Sequence, residues 1–392
     1  MVSARYTMKF DETSGIWFKL SAIGLTMVLL ALSAPAAARS PSAAQLRQWC
    51  YEEGDGVSEE ERFEGCSAML KASPNDVYAL ANRGEMLRRK GNAARALADF
   101  NRAIRLNPGH PDLWYNRGIA HDDLGDKDRA IADYTRAIRL NARDPHYYNN
   151  RANSLIDKND YERAIADYDQ AIKLDPEFAL AYYNRGTAYR EHSEADRALA
   201  DFDMSIKLDP IYGPAYGNRA RIFRDRGDRA RALADFAKSL QLDPNNDRDF
   251  YARANMYFNE HDYARALEDY DRAIKANASH SDVFNSRCMT HAILGQLQEA
   301  LADCEQSLKM APNDPYTLDS RALTQLKLGH LDAAIADYDA ALSAKPGYDS
   351  SLYGRGLAKR KKGDNEGGER DIAAAKAINA GIANEFAHYG IQ

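Results

Sequence analysis

The sequence predicts an all-α protein built as a linear array of helical hairpins. Three observations predict it: one 34-residue register runs through most of the 392 residues without a slip, apolar residues recur in each period at helical spacing, and glycine and proline punctuate the periods at constant phase. The register is plainest in "RALADFNRAIRLNP" (95–108), "RAIADYTRAIRLNA" (129–142), "RAIADYDQAIKLDP" (163–176) and "RALADFDMSIKLDP" (197–210). An aspartate marks it in nine successive periods, from Asp99, Asp133, Asp167 and Asp201 to Asp371.

The elements follow in chain order. Lys9 and Lys19 flank the start of an apolar run from Leu20 to Leu32 that ends in "SAPAAARS", where Ala36 and Ala38 supply the small side chains a signal peptidase needs. About a dozen apolar residues fall short of the ~20 that a spanning helix requires. Residues 1–38 therefore read as a cleavable signal peptide, and the mature chain as periplasmic or secreted with no integral membrane span. The segment carries Arg5, Lys9 and Lys19 against Asp11 and Glu12, so its removal takes the formal charge from −6 to −7.

Residues 39–76 form an N-terminal helical cap in which "ERFEGCSAML" echoes the second helix of a period. Cys50 and Cys66 enclose 15 residues there. In an oxidising compartment that spacing predicts a disulfide, which supplies on the order of 3 kcal/mol by loop-entropy arithmetic. Neither cysteine has the second ligand two to four residues away that a zinc site needs.

Counting each period from Val77 as position 1, residues 77–348 hold eight units and residues 349–392 a degenerate ninth unit with a C-terminal cap. Small residues stand at position 8 (Gly118, Ala152, Gly186), position 20 (Ala130, Ala164) and mostly position 27 (Ala137, Ala171). An aromatic residue stands at position 24 (Phe100, Tyr134, Tyr168, Phe202). Gly91, Gly125, Gly227, Gly295, Gly329 and Gly363 end the first helix, and Pro108, Pro176, Pro210, Pro244, Pro312 and Pro346 stop the second. Gly367 and Gly368, near the start of the last second helix, predict a looser end.

These residues resemble the tetratricopeptide repeat family from residue 77 to about 379. The resemblance implies a right-handed superhelical solenoid of about nine 34-residue antiparallel helix pairs, each stable only against its neighbours. The N-terminal pattern has a weaker resemblance to exported alphaproteobacterial members. Cys288 and Cys304 occupy positions 8 and 24 of one unit, which suits either a second disulfide or an exchange of volume between facing core sites.

Two polar ladders run along the array. Arginine fills position 7 in all nine units (Arg117, Arg151 and Arg185 among them), where the family more often has an apolar residue, and aspartate fills position 23 in the same nine. The one-for-one balance predicts structural ion pairs (Arg117 with Asp133, Arg151 with Asp167, Arg185 with Asp201), because a buried arginine without a partner costs several kcal/mol. Asparagine fills position 6 in Asn82, Asn116, Asn150, Asn184 and Asn218, then lapses to Ala252, Ser286, Ser320 and Gly354. Positions 5, 6, 9 and 12 share a helix face that the resemblance places in the concave groove. There carboxamides could grip the backbone of an extended peptide, as in peptide-binding superhelical members, although Asn is also common at this site without such a role.

Tyr115, Tyr183 and Tyr251 at position 5, with Arg190, Arg221 and Arg224 at positions 12, 9 and 12, give the groove the aromatic and arginine composition of a protein-binding surface. With Arg248 they make it locally basic, which suits an acidic segment or a free C-terminal carboxylate. The basic run "AKRKKGD" (358–364) reads as a solvated cap. Nucleic acid is not expected, since net charge is −6 and opposite charges are interspersed. The nine histidines are scattered singly, and no phosphate loop, GxSxG or HExxH is present, so no enzyme, metal site or cofactor is expected. The expectation is a monomeric envelope adaptor that binds peptide segments of one or more proteins. The alternative is a structural part of a polymer-export or cell-wall assembly machine, contacting partners by its convex face and ends.

Overall fold

The computed structural model describes residues 41–51 and 56–391; the segment read as a signal peptide lies outside the described residues. Among them there are helices and no strands. They are α1 (Ala43–Tyr51), α2 (Glu59–Ala72), α3 (Val77–Arg89), α4 (Ala93–Leu106), α5 (Pro111–Asp123), α6 (Lys127–Leu140) and α7 (Pro145–Ile156). Next come α8 (Tyr161–Leu174), α9 (Ala179–Glu191), α10 (Ala195–Leu208), α11 (Gly213–Asp225), α12 (Arg229–Leu242), α13 (Asp247–Asn259) and α14 (Tyr263–Ala276). The last are α15 (Ser281–Ile293), α16 (Leu297–Met310), α17 (Pro315–Leu328), α18 (Leu331–Ala344), α19 (Asp349–Lys362), α20 (Asn365–Ile378) and α21 (Ile382–His388). Consecutive helices pair into hairpins, each packed on the next, as expected of an all-α solenoid. None of the described helices is long and apolar enough to cross a membrane.

Each hairpin turn is made locally. Position 15 is left-handed in every repeat unit: Gly91, Gly125 and Gly227 lie at φ +75°, +76° and +74°, and Asn159, Ser193 and His261 take the same conformation at +61°, +64° and +61°. This lets the next N–H reach back to position 11, as from Asp126 to His121 O at 2.9 Å. Position 16 then caps the second helix, the Asp126 carboxylate accepting from Arg129 N at 3.2 Å.

Within a hairpin the small residue at position 8 faces the ring at position 24. A Cβ on Gly118 would stand 2.7 Å from Tyr134, so absence of a side chain lets the two helices close onto the ring. Cys288 replaces that small residue and Cys304 the ring, and they form a disulfide with Cα atoms 5.4 Å apart. Cys50 and Cys66 also form one, 4.6 Å apart at Cα. Both pairs are separated by 16 residues because both occupy the same register: α1 and α2 are a further hairpin in phase with the repeats. In that hairpin Trp49 and Gly65 stand at positions 7 and 23, and the Gly65 backbone lies so close to Trp49 that an added Cβ would meet its Cβ at 2.8 Å. The ninth unit differs from the looser end expected. Gly356 and Gly368 bring α19 and α20 together, a Cβ on Gly356 falling 2.8 Å from Gly368 O, so the glycines tighten the pair.

The Arg/Asp ladder crosses every repeat hairpin. Arg117 donates through Nε and Nη2 to both oxygens of Asp133 at 2.7 Å, and Arg151 to Asp167 at 2.7 Å. Arg185 does the same to Asp201 at 2.8 and 2.7 Å. The same two-pronged pair recurs from Arg83–Asp99 to Arg355–Asp371. The remaining nitrogen often reaches the preceding unit: Arg117 Nη1 donates to Asn101, Arg151 to Thr135, and Arg219 to Asp203. An aromatic side chain three residues earlier covers the guanidinium, as Trp114 covers Arg117 at 4.8 Å. Its hydrogen bond to Asp235, opposed by burial and reinforced by Asp203, holds Arg219 above the ordinary arginine range.

Two outcomes follow from this packing. Asp167→Ala leaves the half-buried Arg151 against no carboxylate and is expected to lower unfolding free energy by about 2 kcal/mol in denaturant melts. Ser193→Gly relieves a left-handed serine and is expected to raise it by up to about 1 kcal/mol; a loss on that substitution would mean the serine is unstrained.

Candidate peptide-binding groove

The first helices of successive units touch one another (α3 with α5, α15 with α17), whereas among the described residues no such contact joins successive second helices. The first helices therefore lie on the inner arc, and their positions 5, 6, 9 and 12 line the concave face. Tyr115, Tyr183, Tyr251 and the five ladder asparagines are all half-buried there.

The asparagines do more than line the groove. Asn150 Nδ2 donates to Tyr115 Oη at 2.9 Å, Asn184 Nδ2 to Asn149 Oδ1 at 3.0 Å, and Asn218 Nδ2 to Tyr183 Oη at 3.0 Å. Position 6 of one unit is thus tied to position 5 of the unit before. Asn82 reaches instead to position 8 of the cap, donating to the Cys50 backbone carbonyl at 2.8 Å, which joins the cap to the array. For Asn116 the residue at position 5 of the preceding unit is Ala81, whose side chain accepts nothing. The ladder is a seam between units, and each seam amide retains a second N–H that can point to a guest.

The basic patch is smaller than the sequence implied. Arg221 is neutralised by Asp249, its guanidinium donating at 2.6 Å to a carboxylate that is 1% exposed. Arg224 is exposed and pairs with Asp225 at 2.8 Å, and Arg248 is exposed. Arg190 donates to Asn218 Oδ1, and among the described residues no carboxylate lies within ion-pairing distance of it. Burial, and then the nearby Arg221 charge, lower its pKa from the ordinary arginine value. Asp249 was not singled out from the sequence. Its signal was there: position 3 is small, apolar or a hydroxyl residue in the other units, and Gly217, where other units have larger side chains, leaves room for it, with an added Cβ falling 3.0 Å from the Asp249 Cγ.

The position-11 histidines lie against the ladder aspartates. His121, at position 11, is buried with Nε2 3.9 Å from Asp133, and His291 repeats this against Asp303 at 3.7 Å. Among the described residues no group of three or more His, Cys, Asp or Glu side chains could hold a metal ion.

Further along the face, position 5 of the eighth unit is Asp319, 5% exposed and hydrogen-bonded by Ser350 and Ser351 at 2.7 and 2.6 Å. Burial outweighs those bonds and pushes its carboxyl up to about 6. The folded state therefore binds a proton that the unfolded state, with an ordinary aspartate, releases. Stability attributable to this group falls as pH rises from about 4 to about 6 and stays low above, by on the order of 3 kcal/mol. The melting temperature of Asp319→Asn, measured against the parent, is expected to gain more at pH 7.5 than at pH 4.5; an equal difference at both would show an unperturbed carboxylate.

Models of the tetratricopeptide repeat match residues 67–111, 82–148, 251–315 and 320–381, and residues 213–246; a TPR repeat model matches residues 152–193. No curated protein sequence matches the chain. Among solved structures it is similar to YrrB, described as a TPR protein with an unusual peptide-binding site, at 18% identity and TM-score 0.40, over 49% of this chain and 98% of that one. It is similar to MamA of Desulfovibrio magneticus RS-1 at 22% identity and TM-score 0.40, over 44% of this chain and 97% of that one. For PilF of Pseudomonas aeruginosa the values are 17% and 0.48, over 52% and 92%. The chain belongs to the tetratricopeptide repeat family, whose fold is generally a non-catalytic scaffold for protein–protein interaction.

Proposed function

We propose that the chain is a non-enzymatic adaptor of an oxidising, extracytoplasmic compartment, and that it binds an extended peptide segment of another protein along the first five units. The observation that carries this reading is the asparagine ladder. Asn150, Asn184 and Asn218 are held in register by their bonds to the preceding unit, so their second N–H groups are ordered at the 34-residue period before any guest arrives, and Asn116, at the same position and without a partner among the described residues, has its whole amide free to bond one. Main-chain carbonyls of an extended segment are the matching acceptors, independent of its side chains. Tyr115 and Tyr183 supply flat apolar area beside the ladder. Arg190, without a carboxylate partner, favours an acidic side chain or a terminal carboxylate near the fourth and fifth units. The two disulfides support the compartment.

A convex-face role has less support. Among the described residues the large exposed apolar side chains are few and spread along the array, from Tyr78 in the first unit to Ile378 in the ninth.

The test separates binding from packing. Peptides selected by display against the full chain are titrated by fluorescence anisotropy into the parent, Asn116→Ala and Arg190→Ala. Asn116 has no acceptor in the preceding unit, so its loss is expected to weaken binding about three- to tenfold while leaving the melting temperature within about 1 °C. Arg190→Ala is expected to weaken acidic peptides by about tenfold and neutral ones little. Equal affinity for all three chains would remove the groove of these units from the binding site.

A further inference from the structure

The asparagine ladder stops after the fifth unit, and the C-terminal segment lies across the part of the groove where it is missing. After α20 the chain turns into α21, whose Ile382 and Phe386 are each 1% exposed. Gly390, at φ +76°, ends that helix and turns Ile391 back toward the same apolar cluster. The segment spans several units: Phe386 packs on Tyr353 of the ninth at 4.8 Å, and His388 on His261 of the sixth at 4.0 Å, between ring centres. Between them Lys327 of the eighth unit donates to the Tyr389 carbonyl at 2.7 Å and to the Ala292 carbonyl of the seventh at 2.6 Å. Ser286 and Ser320, at the ladder position, line a cavity of about 320 Å³ whose other wall includes Glu385 and Tyr389. Longer carboxamides there would enter the space between helix and groove.

We propose that the concave face of units six to nine is a second binding surface, for a short helix with an aliphatic and aromatic seam, and that residues 382–391 are its resident, displaceable occupant. The seating is that of a ligand in a groove more than of a repeat in an array. A seven-residue helix has little stability of its own, and beside it the groove keeps an open cleft lined by Ser286, Ser320, Glu385 and Tyr389 that the segment does not fill. The Arg/Asp pair that fastens each of the nine repeat hairpins ends with Arg355 and Asp371, so the segment is held without one: by Ile382, Phe386, Tyr389 and Ile391 in the apolar cluster, the His388–His261 ring contact, the Asn379–Glu385 hydrogen bond and Lys327. A partner helix of like chemistry competes with it, which makes residues 382–391 a gate on half of the groove. This goes beyond the adaptor reading and does not rest on the asparagine ladder.

The test uses the full chain and a fluorescein-labelled peptide of residues 380–391. In the parent, the seated segment blocks the site. The Phe386→Asp chain is expected to bind the peptide at least about tenfold more tightly, the ratio required if the segment is seated about nine-tenths of the time. A peptide carrying the same Phe386→Asp change is expected not to bind. Hydrogen exchange on the parent provides a readout independent of how the variant folds: the amides of 382–391 are expected to exchange at least about tenfold faster than those of α19 and α20. Exchange as slow as in α20, or equal peptide binding by both chains, would establish a fixed cap and overturn the proposal.

Discussion

The array depends on a buried ion pair repeated once per hairpin. Arginine at position 7 reaches across to aspartate at position 23 with two parallel hydrogen bonds, and in many units its third nitrogen reaches the second helix of the unit before. One side chain thus sets both the spacing within a hairpin and the stacking between hairpins. A purely apolar contact at this site would bury area without direction. The planar guanidinium imposes an angle and a register, and aromatic cover such as Trp114 over Arg117 removes water from the pair. Constancy of that geometry is consistent with a 34-residue period that never slips.

The ends and one interior hairpin use other fastenings. Disulfides replace the small-residue and ring contact in the cap and in the seventh unit. In the cap, Trp49 against Gly65 also stands where the ion pair would be. These are alternative solutions to one problem, the close approach of two helix backbones. The groove inherits its order from this frame: Tyr and Asn side chains at positions 5 and 6 meet at hydrogen-bonding distance because the frame holds successive first helices in contact.

Much of this was legible in advance because it is periodic. A ladder of equal numbers of arginine and aspartate can be paired on paper, and the spacing of Cys50 and Cys66 signals a bridge; for Cys288 and Cys304 the sequence left a bridge and an exchange of core volume equally open, and the structure chose the bridge. Non-periodic features were less legible. Arg221 read as a free cation because Asp249, its partner, sits 28 residues away on another helix. Gly367 and Gly368 suggested looseness, yet in the ninth unit glycine allows closer packing, with Gly368 facing Gly356 on α19.

By itself the sequence determined the hairpin: its turn, its caps, its core positions and its period, all of which arise from residues close in the chain or related by a constant offset. Tertiary structure decided which polar groups remain available. Whether an asparagine bonds its neighbouring unit, whether an arginine meets a carboxylate, and where residues 382–391 lie all depend on distances across the superhelix. Those distances accumulate from the rotation between successive units, which has no single residue as its cause.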